Sequence, residues 1–386
     1  MNLFYIIIFL AISIPLILKN KKWGLIISML LLFIPWGFQY QLTQDWDVYV
    51  IRWMHVNFNE RIELDGGEDR KLEALYVLIL KACKPLSFYG FLILSAIFEL
   101  YILYIFIKKY VSPDYYWVVI FILMMKVEFG LLLIDTNRQS LSVFFLMLGM
   151  YIILNTQFPK SDYLKPFLLY IIGFTIILLS PRIHGTAALS FLIIPFYIYA
   201  KHVKNANRFI LFVIFNFLFV LRYYVDAKQY QFGISLFMDS INIEGVDFFE
   251  RYLDGLDNSV DKSSYNVIIE ASIMNLSIYY YNKLPTAHRI FALMWFTSFV
   301  LDGFLIGSLG RIRMYFYIYF LFLIPKLMEY TYESFSEKNA VVRSIWALVL
   351  VYFLLSFIKQ MTNDTEGYFY YRWSNFTTIF SAPEWI

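Results

Sequence analysis

LFYIIIFLAISIPLIL, Leu3 to Leu18, contains no charged residue, and its apolar side chains do not alternate with polar ones. A strand crossing a membrane would alternate over about ten residues. A continuous apolar run of this length instead points to a helix in lipid, where every backbone polar group must be satisfied within its own segment. The run could be mistaken for a secretory leader. Its positive charges, Lys19, Lys21 and Lys22, follow it rather than precede it, and no small-residue cleavage site appears, so it reads as a retained first helix.

The same pattern recurs along the chain. Apolar segments near 3–18, 24–38, 86–107, 115–134, 139–155, 166–180, 186–200, 208–224, 267–282, 289–308, 311–328 and 342–358 predict an all-α, polytopic membrane protein with about twelve transmembrane helices. Residues 74–84 form a further apolar stretch, too short to cross and interrupted by Lys81, Lys84 and Pro85; they read as a re-entrant or interfacial helix. Hydrophobic residues make up 60% of the 386-residue chain and charged residues 16%, whereas a soluble domain carries about 25% charge. Without internal repeats or a Gly/Ser linker, residues 1–386 read as one membrane domain.

Lys and Arg gather in alternate short loops: Lys19, Lys21 and Lys22; Lys108 and Lys109; Lys160 and Lys165; Lys201, Lys204 and Arg208; Lys283 and Arg289; then Lys326, Lys338 and Arg343. The positive-inside rule assigns these loops to the cytoplasm. Both termini then lie outside, with larger outer segments at about 39–74 and 225–266 and a tail from about 359 to 386. The formal net charge of +3 gives no basic surface for nucleic acid. Cys83 is the only cysteine, and the four histidines, His55, His184, His202 and His288, are scattered, so neither a disulfide nor a metal site is expected. No nucleotide-binding glycine loop or hydrolase motif is present.

The polar clusters converge on the outer side. They are Asp45-Trp46-Asp47-Val48-Tyr49 followed by Glu73; Asp135-Thr136-Asn137-Arg138-Gln139; Pro181-Arg182-Ile183-His184; and Arg311-Ile312-Arg313. Guanidinium groups present forked donors that match phosphate oxygens and stay charged at any relevant pH. Arg138, Arg182, Arg311 and Arg313 therefore suit a diphosphate, and could stabilise one as a leaving group; the alternative is that each arginine snorkels to the interface. His184 can serve as a general base near neutral pH, with Asp47 and Asp45 as alternative bases or acceptor-binding groups. Glu99, Glu128 and Asp302 fall within expected spans, where ionisable groups are costly and functional candidates; Glu99 would also suit ion coupling. Aromatic residues amount to 21%, and outer ones such as Trp46, Tyr49 and Trp53 can pack on sugars or belong to the interfacial belt.

The order of these groups resembles the EpsG family of exopolysaccharide proteins, related to Wzy-type O-antigen polymerases. The resemblance is carried by Asp45-x-x-x-Tyr49, the Glu73-led segment to Leu78, Arg138-Gln139 opening a helix, His184-Gly185-Thr186 opening another, and Arg311 through Phe316. It extends from about residue 40 to the tail. It implies a bacterial cytoplasmic-membrane glycosyltransferase that joins oligosaccharide repeat units carried on polyprenyl diphosphate, at the outer face. On that reading Arg138, Arg182, Arg311 and Arg313 bind the diphosphate, His184 or Asp47 activates the acceptor hydroxyl, and Asp45, Tyr49 and Gln139 position sugars. It needs no cofactor. Membrane lipid and other polysaccharide-assembly membrane proteins are the expected partners. The rival readings are a flippase or transporter of a lipid-linked sugar, favoured by pseudo-symmetric halves, and a membrane acyltransferase that decorates the glycan.

Overall fold

A computed structural model describes residues 3–39, 49–50, 53–54, 63–64, 68–69, 73–126, 128–129, 132, 137–157, 164–221, 264–304, 312–335 and 339–363. Helical backbone lies under each apolar segment predicted from the sequence. Among the described residues the architecture is all-helical except for a two-residue antiparallel pair, β1 (Glu63–Leu64) with β2 (Glu68–Asp69). Four of the described helical stretches are long and apolar enough to cross a membrane: Ala74–Tyr110, Asn137–Asn155, Leu164–Arg182 and Ala340–Lys359. Shorter apolar helices include Leu3–Ile17, Pro113–Met125, Arg208–Leu221 and Thr286–Leu301.

The chain divides into two compact units, residues 1–184 with 345–386, and residues 185–344. The first unit opens with a hairpin of α1 (Leu3–Ile17) and α2 (Lys21–Gly37). Asn20 caps α2 by accepting from the Trp23 amide at 3.3 Å, the role short polar side chains fill at helix starts. Lys21 donates to the carbonyls of Pro15 and Leu16, which have no intrahelical partner at the end of α1. Ser28 donates to the Ala11 carbonyl at 2.7 Å and so links the two helices.

The stretch Ala74–Tyr110 is not one rod. α3 (Ala74–Cys83) passes through a 3-10 turn at Lys84–Leu86 into α4 (Ser87–Tyr110). Ser87 at the junction has φ +66°, a positive-φ backbone that ends the 3-10 turn. The chain folds back there. Tyr76 of α3 meets Phe91 of α4 with ring centroids 6.4 Å apart, a distance that residues 15 positions apart on one straight helix could not reach, since they would be about 22 Å apart.

α5 (Tyr116–Met125), α6 (Asn137–Asn155) and α7 (Leu164–Leu179) complete the part of this unit that positions the site. α4 and α6 run parallel: Phe98 meets Phe145, Phe106 meets Tyr151, and Asn155 donates to the Tyr110 hydroxyl at 2.9 Å, so positions rise together on both helices. In that register α6 begins roughly 6 Å along α4 from its start. α6 and α7 run antiparallel through Gly149 and Gly173, where a Cβ on Gly149 would lie 2.6 Å from the Gly173 carbonyl oxygen. Small residues at such crossings let two backbones approach without lipid between them.

The second unit contains a 3-10 segment at Gly185–Leu192, α8 (Ile193–His202), α9 (Arg208–Leu221), α10 (Ser264–Tyr280), α11 (Thr286–Phe304), α12 (Met314–Tyr317) and α13 (Phe320–Ser334). Its core is aromatic: Trp295 packs on Phe320 at 4.9 Å, and Phe291 stacks on Tyr319 at 5.2 Å. Asn216 and Asn275 exchange hydrogen bonds of 2.8 and 3.2 Å between α9 and α10, a closed amide pair of the kind that joins helices in apolar surroundings. Arg289 donates to the carbonyls of Leu284, Val203 and Lys204. α14 (Asn339–Asn363) has its first residues in the second unit and continues in the first from Ile345.

Candidate functional site

The site is built around the first turn of α6, where Asn137, Arg138, Gln139 and Ser140 follow one another. Arg138 donates through a terminal guanidinium nitrogen to Glu73 Oε2 at 2.8 Å. Both side chains are half-buried. Glu73 immediately precedes α3, so this ion pair ties the far end of the α3–α4 hairpin to the start of α6. Gln139 and Ser140 are buried behind it.

A second contact brings in the chain after α7. Ser142 donates to the Ser180 carbonyl at 2.9 Å, Ser180 donates to the Ser142 carbonyl at 2.9 Å, and the two hydroxyl oxygens are 2.8 Å apart. This reciprocal pair holds the 3-10 turn Ser180–Arg182 against α6. The pairs Gly149–Gly173 and Ser142–Ser180 share one antiparallel register. Continued past the end of α7, that register places Arg182 and His184 at about the level of Ser140 and Arg138. Ile183 between them is buried, Arg182 is exposed and His184 is half-buried. The His184 amide donates to the Ser180 carbonyl at 3.2 Å, closing the turn.

An apolar platform supports these groups. Trp53, Tyr76, Phe88, Phe91, Leu92, Leu141 and Ile183 form one buried cluster, and Tyr49 packs against it. Trp53 stacks on Phe91 at 5.7 Å. Lys84 donates to the Trp53 carbonyl and lies 5.1 Å from the centre of its ring, fixing the chain at that point. Leu141 is two residues after Gln139, and Ile183 separates Arg182 from His184. Tyr49 packs on the platform, Arg138 and Gln139 precede its Leu141 on α6, Glu73 pairs with Arg138, and Arg182 and His184 flank its Ile183 in the chain: two guanidinium groups, an imidazole, a carboxylate, an amide and a phenol. Such a set can bind an anion with forked donors and accept a proton beside it.

Asp45, Asp47 and Arg311 lie outside the described residues. Arg313 belongs to the second unit, where it is half-buried with its guanidinium 5.7 Å from the Tyr317 ring centre; the Tyr317 hydroxyl in turn donates to Glu270 at 3.2 Å. Glu128 is half-buried in a short helical piece after α5, and Asp302 lies on α11. The sequence reading passed over Lys126, which is buried and rests 5.0 Å from the centre of the Phe353 ring. Its position inside an expected span was the available signal, since a lysine there is as costly as the acids that were singled out. The pairing of Glu73 with Arg138 had no signal in sequence spacing, because 65 positions separate the two.

Comparison with protein families matches residues 22–377 to the EpsG family. No curated protein and no solved structure matches the chain.

Proposed function

The chain belongs to the EpsG family of exopolysaccharide-associated membrane proteins, and from that premise we propose that it polymerises oligosaccharide repeat units carried on polyprenyl diphosphate, at the outer face of a bacterial cytoplasmic membrane. What supports this reading is that Arg138, paired with Glu73, opens α6, and that the Ser142–Ser180 pair brings the turn leading to Arg182 and His184 against the same helix. His184 takes the proton of the acceptor hydroxyl, with Asp47 as the other candidate base. The acceptor oxygen bonds to the anomeric carbon of the donor sugar while the bond from that carbon to the diphosphate oxygen breaks. Arg138 and Arg182 offset the charge that grows on the departing diphosphate, the part a metal ion takes in other transferases. Tyr49, Gln139 and Asp45 position sugars against the platform.

Deletion of the gene tests the reading. Lipid-linked single repeats should accumulate and long chains should vanish, with both restored by the wild-type gene. Long chains that lack only a decoration would assign the protein to glycan acylation, and repeats trapped on the inner leaflet would make it a flippase. In the same assay Arg311→Ala and Arg313→Ala test the part expected of those residues in diphosphate binding.

Twelve crossings with both termini outside belong to the same proposal, and Cys83 reports the orientation. It sits at the end of α3, next to the turn into α4. A membrane-impermeant maleimide added to intact cells or protoplasts should label it. Cys83→Ser, lacking the only cysteine, should stay unlabelled. Labelling that required permeabilised cells would invert the orientation.

A further inference from the structure

In the second unit three pieces of chain are fastened together where α8, α10 and α13 end. The α8–α9 loop meets the α10–α11 turn through Asn282, which accepts from the Ala206 amide and donates to the Ala206 carbonyl, both at 3.0 Å. The Arg289 guanidinium spans the same two pieces, donating to the carbonyls of Leu284, Val203 and Lys204 at 2.8, 3.2 and 3.3 Å. The Tyr330 hydroxyl of α13 donates to the Lys283 carbonyl at 2.9 Å, and Arg208 donates to the Tyr279 carbonyl at 2.9 Å. The floor so formed is basic. Residues 201–208 and 279–289 carry Lys201, Lys204, Arg208, Lys283 and Arg289 and no acid. On α13, Lys326 pairs with Glu329 at 2.9 Å, and Glu333 is one turn further on. Lys204 and Lys283 are exposed, and among the described residues their ammonium groups make no hydrogen bond or ion pair; Lys283 lies 5.6 Å from the Tyr280 ring centre.

An apolar face begins where this floor ends. α9 starts at Arg208, and Phe209, Val213, Phe217 and Val220 follow at helical spacing along one side of it. Phe209 is 73% exposed and Phe217 61%. The opposite side of α9 packs on the unit, where Phe215 meets Phe296 and Phe219 stacks on Phe299. We infer that this end of the second unit binds an anionic diacyl phospholipid, with its phosphate held by Lys204, Arg208 and Lys283 and an acyl chain along Phe209, Val213 and Phe217. Charge selects the anion. The carbonyls that could repel it are occupied by Asn282, Arg289, Arg208 and Tyr330, and every charge on the two joined loops is positive. The α9 face, running directly from Arg208, selects an anion that carries an acyl chain. Basic clusters between helices at the cytoplasmic side recognise lipid phosphates in this way, and the positive-inside rule assigns these loops to that side. Such a lipid binds whether or not the protein polymerises glycan.

Full-length protein purified in mild detergent tests the site with two probes, phosphatidylglycerol and phosphatidylcholine of matched chains, with bound lipid counted by native mass spectrometry. Wild type is expected to retain phosphatidylglycerol about tenfold over phosphatidylcholine, a preference that shrinks as salt rises. Lys204→Gln with Lys283→Gln removes two charges whose side chains take no part in the hydrogen bonds joining the loops. That pair should bring the preference to within about twofold. Lys108→Gln with Lys109→Gln removes the same charge from another loop assigned to the cytoplasm and should keep the wild-type preference. Unchanged unfolding temperatures in phosphatidylcholine show that both pairs are folded. Equal losses from the two pairs would overturn the site in favour of diffuse attraction to the basic side. Wild-type protein with no preference would overturn it outright. Displacement of phosphatidylglycerol by millimolar inorganic phosphate would replace it with a site for a soluble anion.

Discussion

Arg138→Ala should reduce long-chain glycan at least about 100-fold in cells that produce normal amounts of the membrane-inserted protein, with lipid-linked single repeats accumulating in its place. Comparison with Glu73 separates two roles for the residue. Arg138 and Glu73 form a pair whose side chains are only 18% and 24% exposed, so removing either partner leaves the other largely buried and unpaired, which is costly. A 100-fold loss of rate corresponds to about 2.7 kcal/mol of barrier. If the guanidinium only fastened α3 to α6, Glu73→Ala and Arg138→Ala would have matching effects, and the double substitution would be no worse than either. If it offsets charge on the leaving diphosphate, Arg138→Ala will be far more severe than Glu73→Ala, and the double variant will follow the arginine. Arg138→Lys keeps the charge but loses the planar fork, so it should restore less than about a tenth of wild-type product. Chain-length profiles of the four strains, normalised to protein level in the membrane fraction, decide between the two.

Much of this was legible in the sequence because lipid imposes a strict rule. Apolar runs with no charge must be helical in a membrane, so the positions of the helices followed from segments such as Leu3–Leu18 and were found under every predicted segment. The break at Lys84–Ser87 was also readable, since Lys81, Lys84 and Pro85 interrupt an apolar stretch too short to cross. The direction of the fold-back was not readable, because it depends on the positive-φ backbone of Ser87 and on Tyr76 meeting Phe91. Arg138, Arg182 and His184 could be named as candidates from residue type and loop position. That Arg182 and His184 are carried to the level of Arg138 depends on Ser142 meeting Ser180, a register that two apolar helices set through their packing and not through any local pattern. Glu99 was visible as an acid within a span, while the buried Ser140 beside it looks like an ordinary helix-opening residue until the buried face of α6 is known. Lys126 was missed for the opposite reason: its carboxylate counterparts drew attention, whereas a buried lysine over a phenyl ring has no motif.

The register that assembles the site makes Gly149 its most sensitive structural position. A Cβ there would sit 2.6 Å from the Gly173 carbonyl oxygen and 2.7 Å from Ile177 Cγ1. The first of these is backbone, so no side-chain rotation relieves it, and α6 and α7 must separate or slide. Overpacking of this kind costs about 1–3 kcal/mol, and Gly149→Ala is expected near the upper end. At Gly173 the corresponding Cβ would meet Ile153 Cγ1 at 2.7 Å and the Gly149 carbonyl oxygen only at 3.0 Å. Ile153 can shift, so Gly173→Ala should be the milder of the two. Gly149→Leu should leave little folded protein. Thermal unfolding of detergent-solubilised variants, read as the fraction that remains monodisperse by size-exclusion chromatography, checks this ranking. A slide along α6 would also carry Ser180 off Ser142 and move Arg182 and His184 away from Arg138. Gly149→Ala protein that survives at low temperature should therefore lose polymer yield out of proportion to its loss of stability. Equal stability and equal yield in both alanine variants would show that the close approach of α6 and α7 is not what holds the site together.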